Sequence, residues 1–363
     1  MFKIRQVGFA LAACIAVAAL SGCERLPMET RQVGYRGTGM EQVINPRIVE
    51  ANAPLHVAPD PLPPAVAVGP KAKDIYQNVK VLGDLHVTEF TRLMQAMTNW
   101  VSPQQGCTYC HNPANFADDS LYTKVVARRM TEMTQAINAG WKNHVADTGV
   151  TCYTCHRGNN VPTQKWFADP SPDTAGRMLG NDNGQNKAGK ASVANSSLPY
   201  DPFTPFLLGK EEIRVGATTA LPTGPQTPLM RAEWTHGLMM HMSDGLGVGC
   251  THCHNTRSMA EWAESPPARV TAWHGIRMVR ELNNAFMVPL TAGQPPNRLG
   301  PTGDIAKVNC ATCHQGVNKP LNGATMAKHH PELQRAPAGA VRRADVLSDP
   351  ATAALAALTR AGR

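Results

Sequence analysis

Two cysteines separated by two residues and followed at once by histidine occur four times in the 363-residue chain. The copies are Cys107-Thr108-Tyr109-Cys110-His111, Cys152-Tyr153-Thr154-Cys155-His156, Cys250-Thr251-His252-Cys253-His254 and Cys310-Ala311-Thr312-Cys313-His314. One such motif can mean a redox dithiol, a zinc knuckle or a site of c-type haem attachment. Four copies, each with histidine directly after the second cysteine, select the last. There the two thiols become thioethers to the haem vinyl groups, and the histidine gives iron one axial nitrogen. Four covalently bound haems c are therefore expected, with His111, His156, His254 and His314 as proximal ligands.

Helices must position these turns. Phe90, Leu93, Met94, Met97 and Val101 recur at helical spacing before site one, and Pro103 stops the run. Tyr122 to Trp141 is amphipathic before site two, with Val125, Val126, Met130, Met133 and Ile137 on one face and Lys124, Arg128, Arg129 and Glu132 elsewhere. Arg231 to Met242 and Ala272 to Phe286 precede sites three and four. Helix followed by haem site is thus an internal repeat. Leu93-Met94-Gln95-Ala96-Met97 matches Leu238-Met239-Met240-His241-Met242, and Arg129-Met130 matches Arg277-Met278. The expected fold is mainly α with much irregular structure: a multihaem cytochrome c of two pseudo-repeated halves, each holding two haems. Haem surface would supply the core that a chain with 6% aromatic residues and 29 prolines otherwise lacks.

The termini and linkers read differently. Lys3 and Arg5, the apolar run Val7 to Leu20 and then Leu20-Ser21-Gly22-Cys23 resemble a bacterial lipoprotein signal, with Cys23 as the acylated first residue. The apolar run is shorter than the ~20 residues a spanning helix needs. The domains expected are a signal peptide (1–22), a lipid-anchored proline-rich segment (23–78), a half with haems one and two (79–165), a connection (166–225), a half with haems three and four (226–325) and a basic, alanine-rich extension (326–363). The proline-rich segment is either a free linker or an arm strapped to the body. A net charge of +8 from dispersed basic residues gives no support to nucleic-acid binding. Eight of ten cysteines belong to the haem sites, leaving Cys14 and Cys23, so no disulfide framework is expected.

The sixth iron ligand decides use: filled by Met or His, the haem passes electrons; open, it binds substrate. The pairs Met94/Met97, Met130/Met133 and Met239/Met242 each allow one sulfur to reach iron while its i+3 neighbour packs, and spacing alone does not choose between them. His86, His236, His241, His252 and His274 read as surface or packing residues. Arg231, Arg269, Arg277 and Arg280 fit either haem propionates or solvated helix faces.

The body from about Lys80 to Pro320 resembles the tetrahaem cytochrome c subunit of purple-bacterial photosynthetic reaction centres. The resemblance lies in Val79 to Leu85, Trp100 to His111, Tyr122 to Met130, Gly149 to Gly158 and Cys310 to Pro320. It implies Met94, Met130 and Met239 as sixth ligands of haems one, two and three, and His144 as that of haem four. The internal repeat would instead put Met278 at site four; His144 is the expectation. The resemblance also implies haems in a row in the order one, two, four, three, docking on the reaction-centre L and M subunits, and a complex shared with H and the light-harvesting 1 ring. The location implied is the periplasmic face of the photosynthetic membrane, with lipid attachment through Cys23. A soluble cytochrome c or high-potential iron–sulfur protein would feed the first haem, and the third would re-reduce the photo-oxidised special pair, so that the chain is an electron-transfer subunit and no enzyme. Near site one Asn99, Gln104 and Gln105 stand where relatives often carry acidic residues, leaving Glu89, Asp118 and Asp119. A multihaem periplasmic reductase, or a carrier unrelated to photosynthesis, is the competing class.

Overall fold

The structure is a computed structural model and describes residues 28–32, 40–168, 201–213, 215 and 229–337. The expected signal segment, Cys23, most of the 166–225 connection and the chain from 338 onward lie outside the described residues. Short helices joined by long irregular segments make up the rest.

The N-terminal arm opens as a hairpin, β1 (Glu29–Gln32) pairing antiparallel with β2 (Glu41–Ile44). Asn45 then caps α1 (Pro46–Asn52), its side chain accepting from Arg47 N at 3.1 Å. A 3-10 turn, Ala53–His56, follows; the chain then runs without regular structure to α2 (Ala72–Ile75) and turns into α3 (Val87–Val101). Glu89 caps α3 by accepting from His86 N at 3.0 Å. The expected periodicity holds on α3, where Leu93, Ala96 and Trp100 are buried. Site one follows on a 3-10 turn, Gly106–Tyr109.

The second long helix departs from its simple amphipathic pattern. In α4 (Tyr122–Gly140) Val125 is 45% exposed, whereas Lys124, Gln135 and Asn138 are buried beside Met133 and Ile137. Hydrogen bonds explain the inversion. Lys124 Nζ donates to Phe116 O at 2.8 Å and Asp118 O at 2.9 Å, and lies 3.2 Å from Asp119. Arg128 and Lys80 also meet Asp119. A buried ammonium is tolerated when its protons and charge are matched in this way.

α5 (Lys142–Val145) carries His144, and α6 (Cys152–His156) is site two itself. After the undescribed connection come α7 (Leu229–Leu246), a 3-10 turn bearing site three (Cys250–His252), and α8 (Ala268–Leu282). α8 continues as a π turn, Asn283–Met287, and α9 (Cys310–His314) is site four. Among these elements α3 packs on α6, α6 on α9, α9 on α7, and α5 on α8.

Apolar burial is divided into three clusters. One gathers Trp166, Phe203, Phe206, Leu207, Leu238, Ile276 and Val279; the second Met133, Ile137, Trp141, Met278, Leu282 and Phe286; the third Leu85, Leu93, Trp100 and Leu333. No described helix is long and apolar enough to cross a membrane.

The Arg128 hydrogen bond holds the Asp119 carboxyl well below the usual carboxylate range, against the effect of burial. A depressed folded pKa contributes stability above the unfolded value of about 3.9, lost only as pH falls through the folded value. Asp119→Ala leaves the 9%-exposed Lys124 side chain without its counter-charge. Because solvent reaches Asp119, the expected cost is about 1–2 kcal/mol, below that of a fully buried pair. Chemical denaturation at pH 5 and pH 8 should give the same difference; a cost that fades by pH 5 would remove Asp119 as its source.

Candidate functional site

Each of the four turns fixes its histidine in one way. His111 Nδ1 lies 3.1 Å from Phe116 O, His156 Nδ1 2.9 Å from Asn159 O, His254 Nδ1 3.1 Å from Met259 O and His314 Nδ1 3.0 Å from Val317 O. A carbonyl only accepts, so every Nδ1 carries the proton and every Nε2 is the ring nitrogen with a free lone pair. That is the tautomer a metal-ligating histidine holds, its second nitrogen tied to a main-chain oxygen.

The turns fall into two kinds. At sites one and three the accepting carbonyl is five residues on, and the first cysteine, Cys107 or Cys250, is exposed. At sites two and four it is three residues on, and the motif forms a short helix. Thr151 N donates to Thr154 Oγ1 and Asn309 N to Thr312 Oγ1, both at 3.0 Å. A left-handed residue, Arg157 (φ 49°) or Gln315 (φ 51°), ends each helix and is followed by glycine. Gly158 N donates to Trp100 O at the end of α3, and Gly316 N to Gly245 O at the end of α7, both at 2.8 Å.

Two buried asparagines hold the approach to these helices. Asn138 accepts from Val150 N at 2.7 Å and donates back to Val150 O at 2.9 Å. Asn283 repeats the pair with Val308, at 2.8 and 2.9 Å, and also donates to Leu207 O at 3.2 Å. Sequence reading missed both, because they precede Cys152 and Cys310 by unequal intervals and sit on different elements.

Four of the thiols are raised by burial. Burial pushes Cys110 and Cys253 up to about 11, and Cys152 and Cys310 up to about 12. A redox dithiol needs a thiol lowered toward neutrality, and the environment of these four thiols opposes that reading; at the contact between sites two and four, the hydrogen bond between Cys155 and Cys313 raises the first thiol and lowers the second. Among the described residues no group of three or more His, Cys, Asp or Glu is gathered to hold a bare metal ion. Cys155 Sγ and Cys313 Sγ touch at 3.1 Å, so sites two and four meet edge to edge.

The expected sixth ligands are placed as follows. Met133 and Met242 are buried in the apolar clusters; Met94, Met97, Met130 and Met239 are partly buried, and of these Met97, Met130 and Met239 pack against a cluster. Met278 is 5% exposed and sits inside the second cluster. His144, on α5, faces His314 with ring centroids 6.0 Å apart and planes at 70°. Its Nδ1 donates to Thr271 O at 2.9 Å. Burial lowers the pKa of His144, and lowers that of His314 to about 4. Cys23 lies outside the described residues.

Of the remaining candidates, Arg231 pairs with Glu211 at 2.6 Å and Arg280 Nε donates to Phe206 O at 2.9 Å. Arg269 lies over Trp262 and Arg277 over Trp273. His241 is 7% exposed against Phe203 and, like His56, buries an Nε2 with no partner among the described residues. His56 was not singled out by its sequence context.

The chain matches the photosynthetic reaction centre cytochrome C subunit family over residues 24–334. It is 55% identical over 333 residues to the photosynthetic reaction center cytochrome c subunit of Rubrivivax gelatinosus, covering 92% of this chain and 90% of that protein. The corresponding protein of Thermochromatium tepidum is 51% identical over 339 residues, 92% of this chain and 82% of the relative. That of Roseobacter denitrificans is 40% identical over 323 residues, with 83% and 84% covered. The chain belongs to the reaction-centre cytochrome c subunit family.

In a cytochrome c subunit the Cys-x-x-Cys-His turns bind haem c covalently, and the residues here fit that group. The histidines present Nε2, six of the eight motif thiols are buried or half-buried beside it, and the Nε2 atoms of His56 and His241 are buried without a partner among the described residues, as an acceptor such as a propionate would satisfy. Asn283, fully buried, is the support whose loss is most readable. Asn283→Ala strands Val308 N and Leu207 O, while Val308 O keeps Trp166 Nε1 at 3.0 Å, at an expected cost of about 1–3 kcal/mol. Thermal unfolding should show that loss, and broadened absorption should be confined to one haem. An unchanged melting temperature would mean that water replaces the amide without penalty.

Proposed function

We propose that this protein is a membrane-anchored tetrahaem electron-transfer subunit that re-reduces the photo-oxidised special pair of a photosynthetic reaction centre. Family membership supports the electron-transfer role in a reaction centre. The observation that carries the arrangement is the packing chain α3–α6–α9–α7, which runs from the helix before site one through the turns of sites two and four to the helix before site three. The haems, when bound, supply reversible one-electron chemistry.

The chain's own residues set the rest. Met94, Met130 and Met239 are the proposed sixth ligands at sites one to three, supported by the packing of their i+3 neighbours into apolar clusters. His144 is the proposed sixth ligand at site four, in preference to Met278. The ring separation of 6.0 Å would let His144 and His314 hold one iron between them. Met278, by contrast, is committed to core packing. Thioether ligands favour ferrous iron over what imidazole gives, so unequal potentials along the row follow from this ligand set.

Two pseudo-repeated halves, 79–165 and 226–325, join the reading. The parallel bonds of Asn138 and Asn283, of Gly158 and Gly316, and the alternation of five- and three-residue carbonyl offsets support it. Docking on the L and M subunits, with H and the light-harvesting 1 ring in the same complex, and a periplasmic location secured by lipid on Cys23 complete the proposal; the Leu20-Ser21-Gly22-Cys23 sequence supports the anchor.

The carboxylates around site one bear on the soluble donor. Glu89 caps α3, Asp118 accepts from Ser120 and Asn112, and Asp119 is enclosed by Arg128, Lys80 and Lys124. Each of these three carboxylates is engaged by the chain itself, which weakens the case for steering a basic cytochrome at this site. The donor, a high-potential iron–sulfur protein or a soluble cytochrome c, is proposed to dock here mainly through uncharged contacts. Its association rate should fall by less than about tenfold between low and high salt, a steeper fall pointing to electrostatic steering.

Flash illumination of isolated membranes tests the whole assignment. The expected result is fast oxidation of the cytochrome α band, with four haems c per chain in a haemochrome assay. Four haems without fast oxidation would sink the photosynthetic role and leave the reductase or general-carrier reading standing.

A further inference from the structure

Helix α8 crosses α5 at a residue without a side chain. A Cβ built on Gly275 would lie 2.5 Å from His144 Cε1, 2.9 Å from Nδ1 and 3.2 Å from Nε2. Its three nearest neighbours therefore belong to one ring, and the imidazole occupies the volume a side chain would fill. One turn earlier on the same face of α8, the Thr271 carbonyl takes the Nδ1 proton at 2.9 Å. Beyond the ring stands His314, at 6.0 Å between centroids. The imidazole is thus bounded by α8, by a fixed hydrogen bond and by the histidine of site four.

The backbone at Gly275 does not ask for glycine. The residue sits well inside α8 (Ala268–Leu282) and is absent from the positive-φ positions. There alanine is the better helix former, so glycine costs stability without a conformational return. Only the neighbouring ring accounts for it. We propose that Gly275 is a positioning residue for His144. The missing side chain lets the imidazole lie against α8 within reach of Thr271 O, and so aims Nε2 at the metal position shared with His314. This rests on the reading of His144 as the sixth ligand of site four.

The consequence is directional. A methyl group at 275 displaces the ring from Thr271 O, releasing Nδ1 and turning Nε2 away from the axis to His314. The backbone of α8 is unaffected, because alanine fits it. Removing the ring itself should make the same methyl group harmless.

The test uses the full holo-protein in its membranes, comparing His144→Ala, Gly275→Ala and the double variant. Ferric EPR reads the bis-imidazole low-spin signal, and carbon monoxide binding to the reduced protein reads an open sixth position. Gly275→Ala is expected to lose that signal and gain carbon monoxide binding at one haem per chain, with the other three unchanged. Retention of the bis-imidazole signal in Gly275→Ala, when His144→Ala has lost it, overturns the role of Gly275. Retention in His144→Ala overturns the ligand assignment beneath it. If Gly275→Ala fails to accumulate, the double variant decides. Stability equal to or above that of His144→Ala supports the steric account, and failure to recover refutes it.

Discussion

The bond from each motif histidine's Nδ1 to a main-chain carbonyl is the constraint around which the chain is built. It contributes only about 0.5–1.5 kcal/mol by itself, yet it selects the ring nitrogen that can meet a metal. To supply the carbonyl the chain must turn back within a few residues of every histidine. At sites two and four it does so through a left-handed residue and a glycine, Arg157-Gly158 and Gln315-Gly316. At sites one and three a longer loop brings Phe116 O and Met259 O into place. The irregular structure after each motif is thus a requirement of the histidine tautomer.

The two kinds of turn also divide the molecule by access. Sites two and four meet at Cys155 and Cys313, and burial raises the Cys152 and Cys310 thiols to about 12. Sites one and three keep Cys107 and Cys250 exposed. A low-dielectric middle strengthens electrostatic differences between neighbouring ligand sets, whereas exposed ends are where a partner can approach. The row of packed helices α3, α6, α9 and α7 therefore has a dry centre and two reachable ends, and the close fit of Gly245 and Gly247 against Ala311 and Gly316 fixes one of the junctions.

What could be read from the sequence is what local chemistry determines. The motifs name their own ligands, and the 3.6-residue apolar period finds α3 and α8 to within a few residues. Lys124 was placed on the polar side of α4 because its charge is visible and its partners, the carbonyls of Phe116 and Asp118, are not. Gly275 is unreadable for the same reason: its reason for being glycine is a ring whose Nδ1 partner, Thr271, lies 127 positions from His144. The methionine pairs show the limit clearly, since period alone gives both members equal standing. Resemblance to a family supplied the choices that spacing left open.

The proline-rich arm poses the opposite question, that of how a segment poor in N–H donors can be held at all. Proline keeps its carbonyl while losing its N–H, so an extended proline-rich chain is a row of acceptors. The body provides the donors. Arg92 reaches Leu62 O at 2.9 Å and Pro63 O at 2.7 Å, Thr88 Oγ1 reaches Val66 O at 2.6 Å, and His86 Nδ1 donates to Gly69 O at 2.7 Å. Farther along, Arg157 donates to Leu55 O, and Thr251 Oγ1 to Glu41 O at 3.2 Å. These contacts carry the arm from site three, past the junction of sites two and four, to the helix before site one. Of the two readings the sequence allowed for this segment, a strapped arm is the one whose backbone finds partners. Its anchors are side chains of the haem-site turns and of the helix before site one, so the strap ties the ends of the row together mainly through side chains of the body.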